Sequence, residues 1–269
     1  MRLIVVIITV LLSSTGFLLW GASQPRDALP LRAPQEQKLL WWSWVEQVPG
    51  HVRAYSEWLR NPRWVAWVVD RQALQTLGPR PEGFACSRAW LWPVCDKAYR
   101  NSGYTRGHLA PNYAMGTLFG RSAQLASFSM RNISPQSRAL NTRVWQRLEE
   151  LEMDEIRRHS QSPLYVLTGP LFRRGPIRLK QGVAVPDAFW RVWLRHDDQG
   201  WRSLAFIVPQ AVQGPEDLRL FMVSVDEVER QAQLELFARL SAEEQHILES
   251  AVDWQAWGEA SWWTQPPRY

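Results

Sequence analysis

From about Ser137 the apolar positions Leu140, Val144, Leu148 and Leu151 recur every three or four residues, the spacing of an amphipathic helix. That helix stands alone among segments that read as strands. Before it, NPRWVAWVVDRQAL (61–74) alternates Trp and Val around Ala66, as a buried strand does. After it, LYVLTGPLF (164–172) reads as a strand closed by a Gly-Pro turn, and VAVPDAFWRVWLRH (183–196) and RSLAFIVPQ (202–210) read as further strands. From Asp217 onward a short strand gives way to helices. The order strands, helix, strands, helices is that of an α+β domain. A length of 269 residues suits one large domain, or one domain with an appendage. A 46% hydrophobic share with 17 Trp supplies a sizeable core. Trp41, Trp42, Trp44, Trp262 and Trp263, near the two ends, are read as core and not as base-stacking or interfacial groups.

The ends divide differently. One Arg precedes an apolar run from Leu3 to Trp20, followed by Gly21, Ala22 and Ser23. Residues 1–23 therefore read as a signal peptide or a membrane anchor, with Arg2 staying inside and the rest leaving the cytosol to be periplasmic, membrane-anchored or secreted. Residues 24–60 read as a Pro-bearing linker and an N-terminal aromatic segment, and residues 61–269 as the folded domain. Between the first strand and the helix, residues 77–104 are rich in Gly and Pro and hold both cysteines, Cys86 and Cys95. An even count in an exported chain suits one disulfide across a short loop; two buried thiols are the alternative. No Cys/His cluster resembles a zinc site. The formal charge of +5 favours polyanionic partners such as nucleic acid or anionic lipid. Arg supplies nearly all of the basic side chains, with Lys only at 38, 97 and 180, a bias that suits phosphate contacts but that genomic base composition also produces.

Chemistry concentrates in YTRGHLAPNYAM (104–115), which has neither helical nor strand periodicity. A histidine beside a permanently charged Arg106 resists protonation. A neutral His108 can accept a proton from water, the task of a general base. Arg106 has a planar fork that matches a phosphate, and Gly107 between them lets the backbone come close to a substrate. Downstream, Asn132, Gln136 and Asn141 fall within ten residues. Asn141 and Trp145, four apart, share a helical face, with Glu149 a further turn along. An amide oxygen and a carboxylate on one face could hold a hard cation, because Mg²⁺ needs few protein oxygens when substrate phosphate and water complete its shell. Each residue alone also has a structural explanation: Asn141 as a local helix cap, Glu149 as a solvated charge, His108 as a packed ring.

Together they resemble a family. Arg106-Gly107-His108-Leu109-Ala110-Pro111, then Asn132-Ile133-Ser134-Pro135-Gln136, then Leu140-Asn141, Trp145, Leu148 and Glu149 are similar to the ordered motifs of the DNA/RNA non-specific endonucleases, the ββα-metal family of the Serratia nuclease and endonuclease G. The resemblance covers most of residues 61–240. It implies a ββα-metal nuclease fold, with a central antiparallel sheet flanked by helices, and makes 61–269 a nuclease domain. It implies a sugar-non-specific endonuclease acting on DNA and RNA and leaving 5′-phosphates. His108 would be the general base, Asn141 the protein ligand of Mg²⁺ (or Mn²⁺), Glu149 a holder of the ion's water, and Asn132 a support through hydrogen bonds. Arg106 would stabilise the transition state, and an upstream Arg on the phosphate would be Arg80, with Arg88 second.

Two departures from the family pattern bear on this. Thr105 stands where the family has Asp before Arg-Gly-His. The turn after Glu149 reads Leu151-Glu152-Met153, without the usual further charged contact, for which Arg131 and Arg143 are the substitutes at hand. Two other functions remain open to such a chain: a membrane-tethered nucleic-acid-binding protein that has lost catalysis, and a phosphodiesterase of the same fold acting on a small or lipid phosphate.

Overall fold

The structure is a computed structural model. It describes residues 34–36, 43–69, 74–87, 93–159, 162–172, 175–198 and 200–268. Residues 1–23, read as a signal peptide or membrane anchor, most of the first half of the 24–60 segment, and Arg88 lie outside these.

After the two-residue strand β1 (Gln35–Glu36), the chain runs antiparallel through β2 (Ser43–Val48), β3 (His51–Ser56) and β4 (Asn61–Val69). The short strand β5 (Thr105–His108) then leads into helices α1 (Asn112–Phe119) and α2 (Arg121–Ser127) before β6 (Ile133–Gln136). A π-helical stretch, Leu140–Trp145, continues into α3 (Gln146–Arg158). Strands β7 (Leu164–Leu171), β8 (Ala188–Asp197), β9 (Gly200–Pro209) and β10 (Met222–Val223) follow, then α4 (Val225–Ala232), β11 (Leu234–Glu235) and α5 (Ala242–Ser250). None of the described helices is long and apolar enough to cross a membrane.

Seven strands make one antiparallel sheet in the order β10-β9-β8-β7-β4-β3-β2. The α+β architecture with a central antiparallel sheet is therefore present. The sheet starts earlier than the sequence suggests: β2 and β3 lie within 24–60, the span read as linker and aromatic segment. Their pairing continues directly into β4, and all six residues of β3 are buried. Pro62 sits inside β4 beside a register shift between Ala54 and Tyr55, the kind of irregularity that tolerates a residue lacking an N–H.

The alternation of β4 has a physical cause in its two buried faces. Val65, Trp67 and Val69 enter one core cluster with Leu140, Val144, Trp145 and Leu148 of the long helix. Trp64 and Ala66 enter the other, with Val225, Val228 and Leu248 from α4 and α5. A strand covered on both faces reads as a continuous apolar run. Trp263 is fully buried in the first cluster and Trp262 packs against it, so those two are core, whereas Trp44 is exposed and Trp41 and Trp42 lie outside the described residues.

Candidate active site

Strands β5 and β6 form a separate two-stranded ribbon, pairing Thr105 with Gln136 and His108 with Ile133. Backbone pairing thus brings the Arg-Gly-His segment against the Asn-Ile-Ser-Pro-Gln segment, some 25 residues later in the chain. Gly107 is required here for a reason other than the one its sequence suggests. A Cβ at that position would lie 2.1 Å from the Gln136 side-chain oxygen, so the room is filled by Gln136 and not kept for a substrate.

Asn132 bolts the loop that follows His108. It is fully buried, its Nδ2 donates to the carbonyls of Ala110 and Ser127 at 2.9 Å each, and its Oδ1 accepts the Ala110 N–H at 2.9 Å. The Leu109 N–H donates to the Asn132 carbonyl at 3.0 Å. With both amide hydrogens and the oxygen engaged, Asn132 supports the site without facing it.

His108 packs between Phe84 and Phe128, with ring centroids 5.5 and 4.9 Å away. Burial lowers its pKa to about 3, with the nearby Arg80 guanidinium adding to the effect. The imidazole is therefore neutral across the physiological range, and its buried Nε2 has no hydrogen-bond partner. Arg80 itself stands over the Phe128 ring at 5.1 Å. Arg106 is held by an ion pair with Asp96 and by a 3.3 Å hydrogen bond from Nη2 to the Asp96 carbonyl, between the rings of Phe84 and Tyr99. Asp96 directly follows Cys95, which is bonded to Cys86. The expected disulfide is present and anchors the turn that anchors Arg106.

The helix supplies the opposite wall. The sequence places Asn141 and Trp145 on one face, but the π-helical stretch separates them. Its wider turn carries one extra residue, so the face that starts at Asn141 continues through Gln146, Glu149, Met153 and Arg157, while Trp145 turns into the core at 1% exposure. Asn141 Nδ2 donates to Thr105 Oγ1 at 2.9 Å, and Thr105 Oγ1 donates to the Gln136 carbonyl at 2.8 Å. A hydroxyl has one hydrogen. Because a carbonyl can only accept, Thr105 must donate to Gln136 and accept from Asn141, and Asn141 Oδ1 is left for another partner.

Glu149 is a quarter exposed, with an oxygen 4.0 Å from the buried Arg191 guanidinium. Burial pushes its carboxyl up to about 8, with Glu152 and Glu150 adding to the rise and Arg191 opposing it. Arg191 is fully buried, 3.0 Å from a Glu152 oxygen and flanked by Trp67 and Trp145. A carboxylate held among other acids in a partly desolvated position favours a neighbouring cation.

Arg80, Arg106, His108, Asn141 and Glu149 line one cavity of about 390 Å³. Five of the six residues singled out from the sequence thus meet, and the sixth, Asn132, braces their loop. Sequence reasoning missed Arg157 and Arg268, which also line the cavity. Arg157 was within reach, since it extends the helical face of Glu149 and Met153; it donates to Tyr113 Oη and Asp154 at 3.2 Å. Arg268 comes from the far end of the chain and carries no local signal. The proposed substitutes Arg131 and Arg143 are elsewhere: Arg131 pairs with Glu46 and Glu57, and Arg143 packs against Gly214.

The oxygens on offer, an amide oxygen from Asn141 and a carboxylate from Glu149, suit a hard cation of the Mg²⁺ kind. A β-ribbon and a helix that bring a neutral histidine and such oxygens to the wall of one cavity match the arrangement expected of a ββα-metal nuclease fold. The chain belongs to the DNA/RNA non-specific endonuclease family, whose model it matches over residues 45–243. It is 28% identical to a nuclease of Nostoc sp. over 74% of this chain and 75% of that one. It is 33% identical to the nuclease of Serratia marcescens over 54% of this chain and 55% of that one, and 37% identical to the mitochondrial endonuclease G of Caenorhabditis elegans over 53% and 49%. The chain thus spans only about half the length of the last two relatives. Its fold is similar to a chain in the solved EndoG/EndoGI complex, with a TM-score of 0.68 at 22% identity over 82% of this chain and 94% of that one.

Proposed function

We propose that the protein is a divalent-cation-dependent endonuclease that hydrolyses phosphodiester bonds of DNA and RNA. The observation that carries this is the convergence of His108, Arg106, Arg80, Asn141 and Glu149 on a single cavity. His108, neutral and with a ring nitrogen free of protein donors, takes a proton from the attacking water. Arg80 and Arg106 approach the phosphate oxygens and offset the charge that builds on them, an effect of about 3 kcal/mol for one such group. Asn141 would hold Mg²⁺ or Mn²⁺ through Oδ1, and Glu149 would hold the water around it. When bound, the ion would supply charge neutralisation at the phosphate and at the departing 3′ oxygen, leaving a 5′-phosphate. The contacts named are to phosphate and water and not to base edges, so they do not discriminate sequence.

The disulfide and the apolar run Leu3–Trp20 support work outside the cytosol. The alternative of a membrane-tethered binding protein without catalysis rests on Thr105 and on the possible N-terminal anchor. Thr105 instead holds Asn141 in a usable orientation, which favours the catalytic alternative. The deciding experiment incubates purified protein with plasmid and with RNA, with and without Mg²⁺ or Mn²⁺. Cleavage of both should need the ion and should fall by roughly 10²–10⁴-fold in His108→Ala. Intact plasmid and intact RNA with every divalent ion tried would refute the proposal.

A further inference from the structure

A second set of carboxylates lies on the other face of the sheet. Asp226 and Glu229 stand on α4, one helical turn apart, and Glu249 stands in the last turn of α5. Both helices pack on the core cluster that holds Trp64, Trp190 and Val192, whereas the nuclease cavity belongs with the helix on the opposite cluster. One oxygen from each of the three lies within 4.8 Å of the other two.

Two of the three are not surface groups. Glu229 is 6% exposed and Glu249 7%. Glu229 Oε1 accepts the Leu236 N–H at 2.6 Å. Glu249 Oε1 is buried without a hydrogen-bond partner. The charges that act on Glu249 are Glu235 and Asp226, and those on Glu229 are Glu249, Glu235 and Asp226. All of these are acidic. Buried carboxylates without a cation are costly. Burial and these neighbours push Glu229 up to about 8 and Glu249 to about 7.

We propose that Asp226, Glu229 and Glu249 form a structural Ca²⁺ site that fastens α4 to α5 on the face of the sheet away from the nuclease cavity. The donors are oxygens only, which selects a hard cation. Ca²⁺ holds oxygens at about 2.3–2.6 Å, so oxygens within 4.8 Å of one another are close enough to share one ion. Three carboxylates gathered in one place suit Ca²⁺, which takes several carboxylate oxygens in a flexible shell, better than Mg²⁺, which keeps most of its water and is held through one or two carboxylates. Asp226 is exposed, so water can complete the shell from the solvent side. The site ties the last turn of α5 to α4, and Glu229 ties α4 to Leu236, the residue after β11.

The test is thermal unfolding of the full chain with and without about 5 mM Ca²⁺, a concentration above the roughly 0.1–1 mM affinity of many extracellular Ca²⁺ modules. Ca²⁺ should raise Tm by about 5 °C. Asn141→Ala, which lacks the proposed active-site ligand, should keep the full shift. Glu249→Gln and Asp226→Asn should lose it. Asp226→Asn changes an exposed residue and should fold normally and cut plasmid with Mg²⁺ at the wild-type rate. The proposal is overturned by a wild type that Ca²⁺ does not stabilise, by a shift that survives in Asp226→Asn and Glu249→Gln, or by a shift that disappears in Asn141→Ala.

Discussion

Thr105 has a single hydroxyl hydrogen, and its direction decides what Asn141 can do. The hydrogen goes to the Gln136 carbonyl, so the Asn141 amide must present Nδ2 to the hydroxyl and turn Oδ1 elsewhere. An Asp at this position could accept from Asn141 equally well, but its ionised carboxylate would set an oxygen against the Gln136 carbonyl. The threonine is therefore a working solution and not simply a lost charge. Thr105→Val keeps the shape and removes both hydrogen bonds. Its expected effect is on the metal: the Mg²⁺ concentration for half-maximal cleavage should rise by about 10- to 100-fold, the usual cost of losing a group that orients a ligand, while Thr105→Ser stays close to wild type. Calorimetric titration of Mg²⁺ into the two variants measures the same effect without turnover. If Thr105→Val binds Mg²⁺ as tightly as wild type, the orienting role is wrong.

The loop 77–104 shows how one element positions another. Its disulfide joins Cys86 to Cys95, and Asp96, the next residue, holds Arg106 at the cavity. Closing so short a loop stabilises a fold by about 2–3 kcal/mol through the unfolded chain. Cys86→Ser/Cys95→Ser should therefore lose about that much in urea unfolding and should also cut more slowly, because Arg106 loses a fixed partner. A double variant that loses stability but keeps the wild-type cleavage rate, once assayed where it is fully folded, would separate Arg106 from the disulfide. The elements were unevenly legible in the sequence. Strands β4, β7, β8 and β9 and the long helix stand out, because burial on both faces or on one stripe leaves a periodic apolar signal. Strands β2 and β3 do not: Glu46, Arg53 and His51 interrupt their apolar pattern, and Arg53 is paired with Glu46 across the hairpin by tertiary structure alone. The π-helical stretch is also invisible to a 3.6-residue period, which sets Trp145 beside Asn141 where the wider turn separates them. The site residues were legible through their ordered motifs. Arg268 was not, since only tertiary packing brings the chain end to the cavity.

At the scale of the whole molecule, buried titratable groups are accommodated in two ways. On the cavity side, Arg191 and Arg195 of β8 alternate with Trp193 and meet Glu152 and Glu155 of α3, so cations and acids leave water together. His51, at the start of β3, is different. It is 3% exposed, and burial together with Arg53 lowers its pKa to about 3, the Pro49 carbonyl opposing this only in part. In the unfolded chain the same imidazole takes up a proton near 6.5. The neutral ring therefore contributes its full stability above pH 6.5, and that contribution is lost as the pH falls from 6.5 towards 3, because only the unfolded chain accepts the proton in that window. At about 1.4 kcal/mol per pH unit, His51 alone should remove about 2 kcal/mol between pH 7 and pH 5. His108 behaves alike, and the raised carboxyls act in the opposite direction, so the total acid response of the protein does not isolate one group. The difference between two proteins does. Urea unfolding of wild type and His51→Leu, each at pH 7 and pH 5, cancels every shared group. The wild type should lose about 2 kcal/mol more than the variant on acidification; equal losses would mean that His51 gains its proton in the folded protein as easily as in the unfolded one.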